Sequence, residues 1–255
     1  EITNVCNLNC SFCHGTKRKP RFMSLEEFTL AAERLRPFAN YLYFHLMGEP
    51  LLHPLLGEFF AEAGKLGYKV IITTNGTLLK EKQRLLLSAT ALHKVSISLH
   101  SFEANDTKQA FDEYVDNCLA FCDAASEKGI ISVMRLWNIG GNNSLNNKLV
   151  ARMRRFFGAD KGNEWSEGRS GFKIRDKLYL EWGNHFEWPD IDLPVIGGRH
   201  GCYGLRDQVG VLCDGTVVPC GMDAEGRIKL GKICESTIEE ILSSDRQVRL
   251  ETELQ

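Results

Sequence analysis

The sequence predicts an α/β fold built on parallel strands and followed by a small hairpin-plus-helix unit, and three observations predict it. Short β-rich runs alternate with helical patterns from the first residue to about 182, the pattern of parallel strands joined by helical crossovers. Polar and turn-forming residues end several of those runs, at the carboxyl edge where such folds bind ligands. A mixture of Gly, Pro, His and Trp over 183–201 then breaks the alternation, and a hairpin signal follows. The expected divisions are 1–182, a linker at 183–201, and 202–255.

Strands are read at Glu1 to Val5, Tyr41 to Leu46, Lys69 to Thr74, Lys94 to Leu99, Ile130 to Leu136 and Lys177 to Trp182, where β-branched and aromatic residues gather. Ser24 with Glu27 reads as a capping box that opens a helix running to about Arg36. The helix Leu55 to Leu66 stops at Gly67, and the helix Lys108 to Lys128 stops at Gly129, a residue able to take the left-handed cap conformation. On the latter, Phe111, Val115, Cys118 and Cys122 draw one apolar stripe, so its two thiols read as packing residues. In the last unit, Val209 to Leu212 and Thr216 to Val218 flank Asp214-Gly215, a tight-turn dipeptide. Ser236 with Glu239 reads as a second capping box before a helix at Ile238 to Ser244.

The 255 residues, 43% hydrophobic and 25% charged, suffice for a substantial core. Net charge is -2, from 31 Lys plus Arg against 33 Asp plus Glu without a long single-sign run, which gives no argument for nucleic-acid binding. Apolar runs such as Val70 to Ile72 fall far short of the roughly 20 residues that span a bilayer, so no membrane partner is expected. Nine cysteines, three of them in one eight-residue window, point to metal ligation in a reducing cytoplasm rather than to a disulfide framework. The chain starts at Glu1 rather than Met and reads as trimmed there.

Cys6-Asn-Leu-Asn-Cys10-Ser-Phe-Cys13 puts three thiols on one loop after the first strand. Three ligands leave one iron of a 4Fe-4S cluster free to bind a small molecule. A zinc site more often pairs two C-x-x-C units, and a ferredoxin site needs a fourth nearby cysteine, whereas the next is Cys118. Met47-Gly48-Glu49-Pro50 ends the second strand. There Gly48 permits close approach to a ligand, and Glu49 can accept hydrogen bonds from an α-ammonium group; the plainer reading is a solvated turn. Thr73-Thr74-Asn75-Gly76 and Ser96-Ile97-Ser98-Leu99 end the third and fourth strands, and Arg135 lies near the end of the fifth. Each alone has an ordinary structural explanation.

In their order along one βα array, these motifs, with Phe12 just before the last cysteine, resemble the radical S-adenosylmethionine superfamily. The resemblance implies a partial (β/α)6 barrel over 1 to about 182, a 4Fe-4S cluster on Cys6, Cys10 and Cys13, and S-adenosylmethionine held among Phe12, Gly48, Glu49, Pro50, Thr74, Asn75, Ser98 and Arg135. It implies reductive cleavage to a 5′-deoxyadenosyl radical, a reductant such as flavodoxin or ferredoxin, and a substrate that gives up a hydrogen atom.

Residues 202 to about 244 resemble the auxiliary-cluster extension of the SPASM or shorter twitch subgroup. Cys202 and Cys220 bracket the hairpin, Gly215-Thr-Val-Val-Pro-Cys220 closes it, and Leu230-Gly231-Lys232-Ile233 with Ser236 to Ile241 resembles the helix that follows. The subgroup implies an auxiliary iron-sulfur cluster on Cys202 and Cys220. Its further ligands are absent before Gln255, so a C-terminal truncation is expected, with Cys213 and Cys234 the alternative ligands. The subgroup also implies a peptide or protein substrate. Oxidation or rearrangement of a small molecule, such as an aminocyclitol or a cofactor precursor, is the alternative, and a non-catalytic iron-sulfur protein a third. No catalytic acid or base is identified: Asp190 and Asp192 are weak candidates, and Trp182 to Trp188 line either the substrate cavity or a packed linker.

Overall fold

The structure, a computed structural model, describes residues 1–105, 109–158, 164–185, 188–189, 192–194 and 203–244. Its main sheet has seven strands. Five run parallel in the order β1 (Tyr41–Tyr43), β2 (Lys69–Thr74), β3 (Leu92–Ser98), β4 (Ile131–Ile139) and β7 (Leu178–Asn184), and β6 (Gly171–Arg175) and β5 (Ser166–Gly168) continue the edge antiparallel. The helices α1 (Leu25–Leu35), α2 (Leu56–Lys65), α3 (Leu79–Ser88), α4 (Phe111–Glu127) and α5 (Asn146–Phe156) fill the connections.

Alternation along the strands decides the faces. Val95 and Ile97, Met134 and Leu136, and Leu178 and Leu180 are buried together with Phe59, Leu86, Val115 and Leu119 of the helices. The opposite face carries Thr73, Arg135 and Glu181, neighbours across β2, β4 and β7. Cys118 and Cys122 lie within the core, as the apolar stripe predicts.

The expected first strand, Glu1 to Val5, is extended but forms only a bridge, from Thr3 to Phe22. It lies beside the end of β1, with the Ile2 N–H donating to the Phe44 carbonyl at 3.2 Å. The hairpin β5–β6 is not foreseen by the sequence reading, and neither α3 nor α5 is named by it.

The second sheet is small and antiparallel, in the order β10 (Gly231–Lys232), β9 (Thr216–Val218) and β8 (Gly210–Val211). It is followed by α6 (Ile238–Leu242), whose capping box is Thr237 with Glu240, one residue later than the Ser236–Glu239 reading. Two hydroxyls precede two glutamates there, and the extended backbone of Thr237 selects the second pair. This unit docks on α1: Ala31 and Leu35 pack with Val217, Ile233, Ile238 and Ile241, and Arg34 Nη1 donates to the Ile233 and Ser236 carbonyls.

Candidate iron-sulfur site

Two backbones meet at the root of the cysteine loop. Gly48 has φ of +77°, and a Cβ on it would stand 2.4 Å from the Thr3 carbonyl oxygen and 2.9 Å from Asn4, so only glycine fits. The sequence reading gave Gly48 to ligand approach; the space it frees is taken by the segment entering the cysteine loop. The Glu49 N–H then donates to the Val5 carbonyl at 2.8 Å, one residue before Cys6.

The Glu49 side chain is 1% exposed. Its Oε1 accepts from the Leu51 N–H (3.0 Å) and the Thr74 hydroxyl (2.8 Å), and its Oε2 from the Asn75 N–H (2.7 Å). The carboxylate thereby ties the end of β1 to the end of β2. Burial pushes its pKa up to about 7 against these donors. Three of roughly four acceptor positions are taken by the protein itself. Pro50 is buried at the start of the single turn Pro50–Leu52.

Each cysteine of the loop is a free thiol met by an N–H donor. The Leu8 N–H lies 3.5 Å from Cys6 Sγ, the Gly15 N–H 3.4 Å from Cys13 Sγ, and Asn105 Nδ2 3.1 Å from Cys10 Sγ. Asn75, 8% exposed at the end of β2, donates to Asn7 Oδ1 at 2.8 Å and lies 3.9 Å from Cys6 Sγ. From behind, the Tyr114 hydroxyl of α4 donates to the Asn75 carbonyl at 2.8 Å. Phe12 packs on His100, ring centres 4.8 Å apart, and His14 packs on Trp188, ring centres 4.7 Å apart. Asn105 escaped the sequence reading because no local motif marks it; only the fold brings it to Cys10.

Ser98 ends β3 beside Arg135 in register. Arg135 Nε donates to Glu181 at 3.2 Å and Nη1 to Thr73 Oγ1 at 3.4 Å, while its guanidinium lies 4.4 Å from the centre of the Trp137 ring. A Cβ on Gly183 would stand 2.6 Å from that ring, so β7 holds Trp137 against its backbone. Glu181, in the middle of β7 and opposite Arg135 in register, is marked by no motif in the sequence. Asp192 is exposed, and Asp190 lies outside the described residues.

The second cysteine set is placed differently. Cys202 lies outside the described residues. Cys220 is half-buried, Cys234 exposed and Cys213 buried. The Cys213 N–H donates to Glu1 Oε2 at 3.0 Å, and its sulfur lies 3.8 Å from Arg18 Nη1. The Glu1 carboxylate also accepts both Arg18 Nη1 (2.9 Å) and Nη2 (2.7 Å) and the Met47 N–H (3.1 Å). It thus fastens the hairpin unit to the start of the chain.

Among the described residues, no group of three or more His, Cys, Asp or Glu that could hold a metal ion is found. The fit of the loop to a cluster rests on the chemistry of its donors: three free thiols on eight residues, each with an N–H aimed at its sulfur. No helix among them is long and apolar enough to cross a membrane.

A parallel α/β sheet with three thiols at its carboxyl edge defines a class, the iron-sulfur proteins of the α/β type. Comparison with known proteins narrows it. Residues 1–144 match the radical SAM superfamily, and residues 202–255 match SPASM, an iron-sulfur cluster-binding domain. The chain therefore belongs to the radical SAM superfamily, and its cofactors are a 4Fe-4S cluster, S-adenosylmethionine and an auxiliary iron-sulfur cluster.

Among curated relatives, a probable GTP 3′,8-cyclase of Saccharolobus islandicus is 32% identical over 130 residues, 48% of this chain and 42% of that one. An Fe-coproporphyrin III synthase of Methanosarcina barkeri is 29% identical over 133 residues, 51% of this chain and 33% of that one. The matches thus span less than half the length of these relatives. Among solved structures, anSMEcpe with bound AdoMet superposes with a TM-score of 0.65 at 15% identity, covering 100% of this chain and 82% of that one. BtrN in complex with AdoMet and 2-DOIA gives 0.61 at 20% identity, covering 100% and 84%. At such identities the likeness shows the fold.

Proposed function

We propose that this protein reductively cleaves S-adenosylmethionine to a 5′-deoxyadenosyl radical that abstracts a hydrogen atom from a peptide or protein substrate, with a flavodoxin or ferredoxin as reductant. The observation that carries the cleavage is the loop of three free thiols fixed at the carboxyl ends of β1, β2 and β3 by Glu49, Asn75 and Asn105. A cluster bound there supplies the electron and an iron site open to the nucleosyl cofactor. Cys6, Cys10 and Cys13 are its ligands in this reading. Phe12, Gly48, Glu49, Pro50, Thr74, Asn75, Ser98 and Arg135 surround the cofactor, Glu49 by setting the turn that meets its ammonium group and Arg135 by facing its carboxylate.

The peptide preference rests on the SPASM match at residues 202–255, for which Cys202 and Cys220 are the proposed auxiliary ligands. One observation favours a small-molecule substrate instead. The sheet face beyond Arg135 is built of short polar contacts among Thr73, Arg135, Glu181 and His45, whose Nδ1 accepts the Thr73 N–H at 3.0 Å. That suits a compact polar molecule.

The test is anaerobic reconstitution with iron and sulfide, chemical reduction, and measurement of 5′-deoxyadenosine. Cleavage is expected in the wild type and absent in Cys10→Ala; cleavage retained by that variant refutes the cluster assignment. Hydrogen transfer from deuterated candidate peptides into 5′-deoxyadenosine, against the same assay with deuterated aminocyclitols, separates the two substrate readings.

A further inference from the structure

We infer that Asn105 is a positioning residue of the cluster site, which fixes Cys10 within its loop and donates a hydrogen bond to its sulfur that raises the reduction potential. The inference rests on the reading of Cys6, Cys10 and Cys13 as cluster ligands.

The side-chain amide of Asn105 is fully committed. Its Oδ1 accepts the Asn9 N–H at 2.8 Å, and its Nδ2 donates to the Ser101 carbonyl at 2.7 Å and to Cys10 Sγ at 3.1 Å. An amide nitrogen has two protons, and both are placed. The reversed orientation would set the NH2 group against the Asn9 N–H and the oxygen against the Ser101 carbonyl, so the network itself fixes which end faces the sulfur. One bond further along, the Ser11 N–H donates to the Ala104 carbonyl at 3.1 Å. The segment after β3 therefore grips the loop on both sides of Cys10.

The three sulfurs are not served alike. Cys6 and Cys13 receive N–H groups from Leu8 and Gly15, each two residues further along the same loop. Any residue supplies such a backbone donor. Cys10 is met by a side chain 95 residues away, at the shortest of the three distances. An N–H donor to a cluster sulfur stabilises the reduced form, which carries one more negative charge, and hydrogen bonds to the sulfurs are among the factors that set cluster potentials. Asn75 Nδ2 approaches Cys6 Sγ only to 3.9 Å, so Asn105, at 3.1 Å, is the closer of the two side-chain donors through which this chain's own sequence adjusts how readily its cluster accepts an electron.

The experiment is a redox titration, monitored by electron paramagnetic resonance, of the reconstituted full chain and of Asn105→Asp and Asn105→Leu. Asn105→Asp keeps the acceptor for Asn9 and loses the donor to Cys10; Asn105→Leu loses both. Both variants are expected to become harder to reduce, by about tenfold in the reduction equilibrium, or about 59 mV for a one-electron couple. Asn105→Asp is expected to retain more iron than Asn105→Leu.

Wild-type potentials in Asn105→Asp at wild-type iron content overturn the inference. If neither variant holds iron, the wild type labelled with 15N at its asparagine side-chain amides decides. Hyperfine coupling between the reduced cluster and a labelled nitrogen is then expected to persist when Asn75→Asp removes the other asparagine amide near a loop sulfur, and its absence overturns the inference. A wild-type chain without a cluster at Cys6, Cys10 and Cys13 refutes the underlying reading instead, which keeps the two failures apart.

Discussion

The loop at Cys6–Cys13 and the hairpin unit at 203–244 both carry free thiols, yet their surroundings prepare them for different work. Acidity does not separate them, since burial pushes Cys10 and Cys213 alike up to about 11. Their neighbours do. At the loop, Asn105 and backbone N–H groups point at the sulfurs while leaving them accessible. At the hairpin, Cys213 is 1% exposed and committed to Glu1 and Arg18, so it reads as part of a fastening between two units. Accessible thiols among N–H donors are suited to ligation, whereas a buried thiol held in a filled contact serves packing.

The largest expected effect tests that contrast directly. Cys10→Ala should abolish 5′-deoxyadenosine formation and remove the loop cluster, while Cys213→Ala should leave both intact and cost about 1 to 2 kcal/mol of stability from lost packing. Iron analysis, product assay and urea unfolding read the two outcomes. If Cys213→Ala also loses cluster iron, the fastening account of Cys213 fails.

A pair of glycines sharpens the same contrast at the backbone. Gly48→Ala forces a Cβ to 2.4 Å from the Thr3 carbonyl at a φ of +77°. Conformational strain of about 1 to 2 kcal/mol and backbone overlap of about 1 to 3 kcal/mol then act together, roughly 3 kcal/mol in sum. The loop should shift and its iron content fall. Gly215→Ala, in the hairpin turn at φ of +81°, meets nothing nearer than Ile233 Cγ2 at 3.5 Å, so only the strain of about 1 to 2 kcal/mol applies. Equal losses, measured by denaturant unfolding, would show that Gly48 is conformational alone.

The two buried carboxylates beneath these units offer a third comparison. Glu1 is paired with Arg18, whereas Glu49 is met by N–H and O–H donors and forms no salt bridge among the described residues. Burial raises Glu49 from 4.5 to about 7. The folded state therefore binds more protons than the unfolded state between those values, and stability falls as pH rises through that window. The shift of roughly 2.5 units corresponds to about 3 kcal/mol at most. Unfolding of the protein without cofactors at pH 4.5 and pH 7.5 should show this decline, and Glu49→Gln should flatten it. An unchanged slope in the variant would assign the decline to other groups.

What the sequence made legible was what periodicity and turn chemistry carry. The strands at Lys69–Thr74 and Lys94–Leu99 and the stripe on α4 follow from alternation and helical spacing, and each is present. α3 buries only Leu79 and Leu86, and α5 only Leu149 and Met153, so their apolar signal is thin. β5 is polar and exposed, and β6 offers only the short alternation of Phe172 and Ile174, two partly buried residues packed on the core. Asn105 and Glu1 act through partners 95 and 212 residues away. Such pairings arise from the way βα units bring strand ends to one edge, which no local window records.

The smallest effect concerns the two capping boxes, Ser24 with Glu27 on α1 and Thr237 with Glu240 on α6. Each hydroxyl satisfies one otherwise unpaired backbone N–H, so Ser24→Ala and Thr237→Ala should each cost about 1 kcal/mol. The helices differ in length, 11 residues against five, and an isolated five-residue helix has no stability of its own. α6 persists on its cap together with the packing of Ile238 and Ile241 against the α1 residues Ala31 and Leu35. Loss of its cap should therefore raise amide exchange throughout α6 and β10, while loss of the Ser24 cap should fray only the first turn of α1. Hydrogen exchange resolved by residue reads both. Exchange in Thr237→Ala confined to the first turn of α6 would show that packing on α1, rather than the cap, holds the hairpin unit in place.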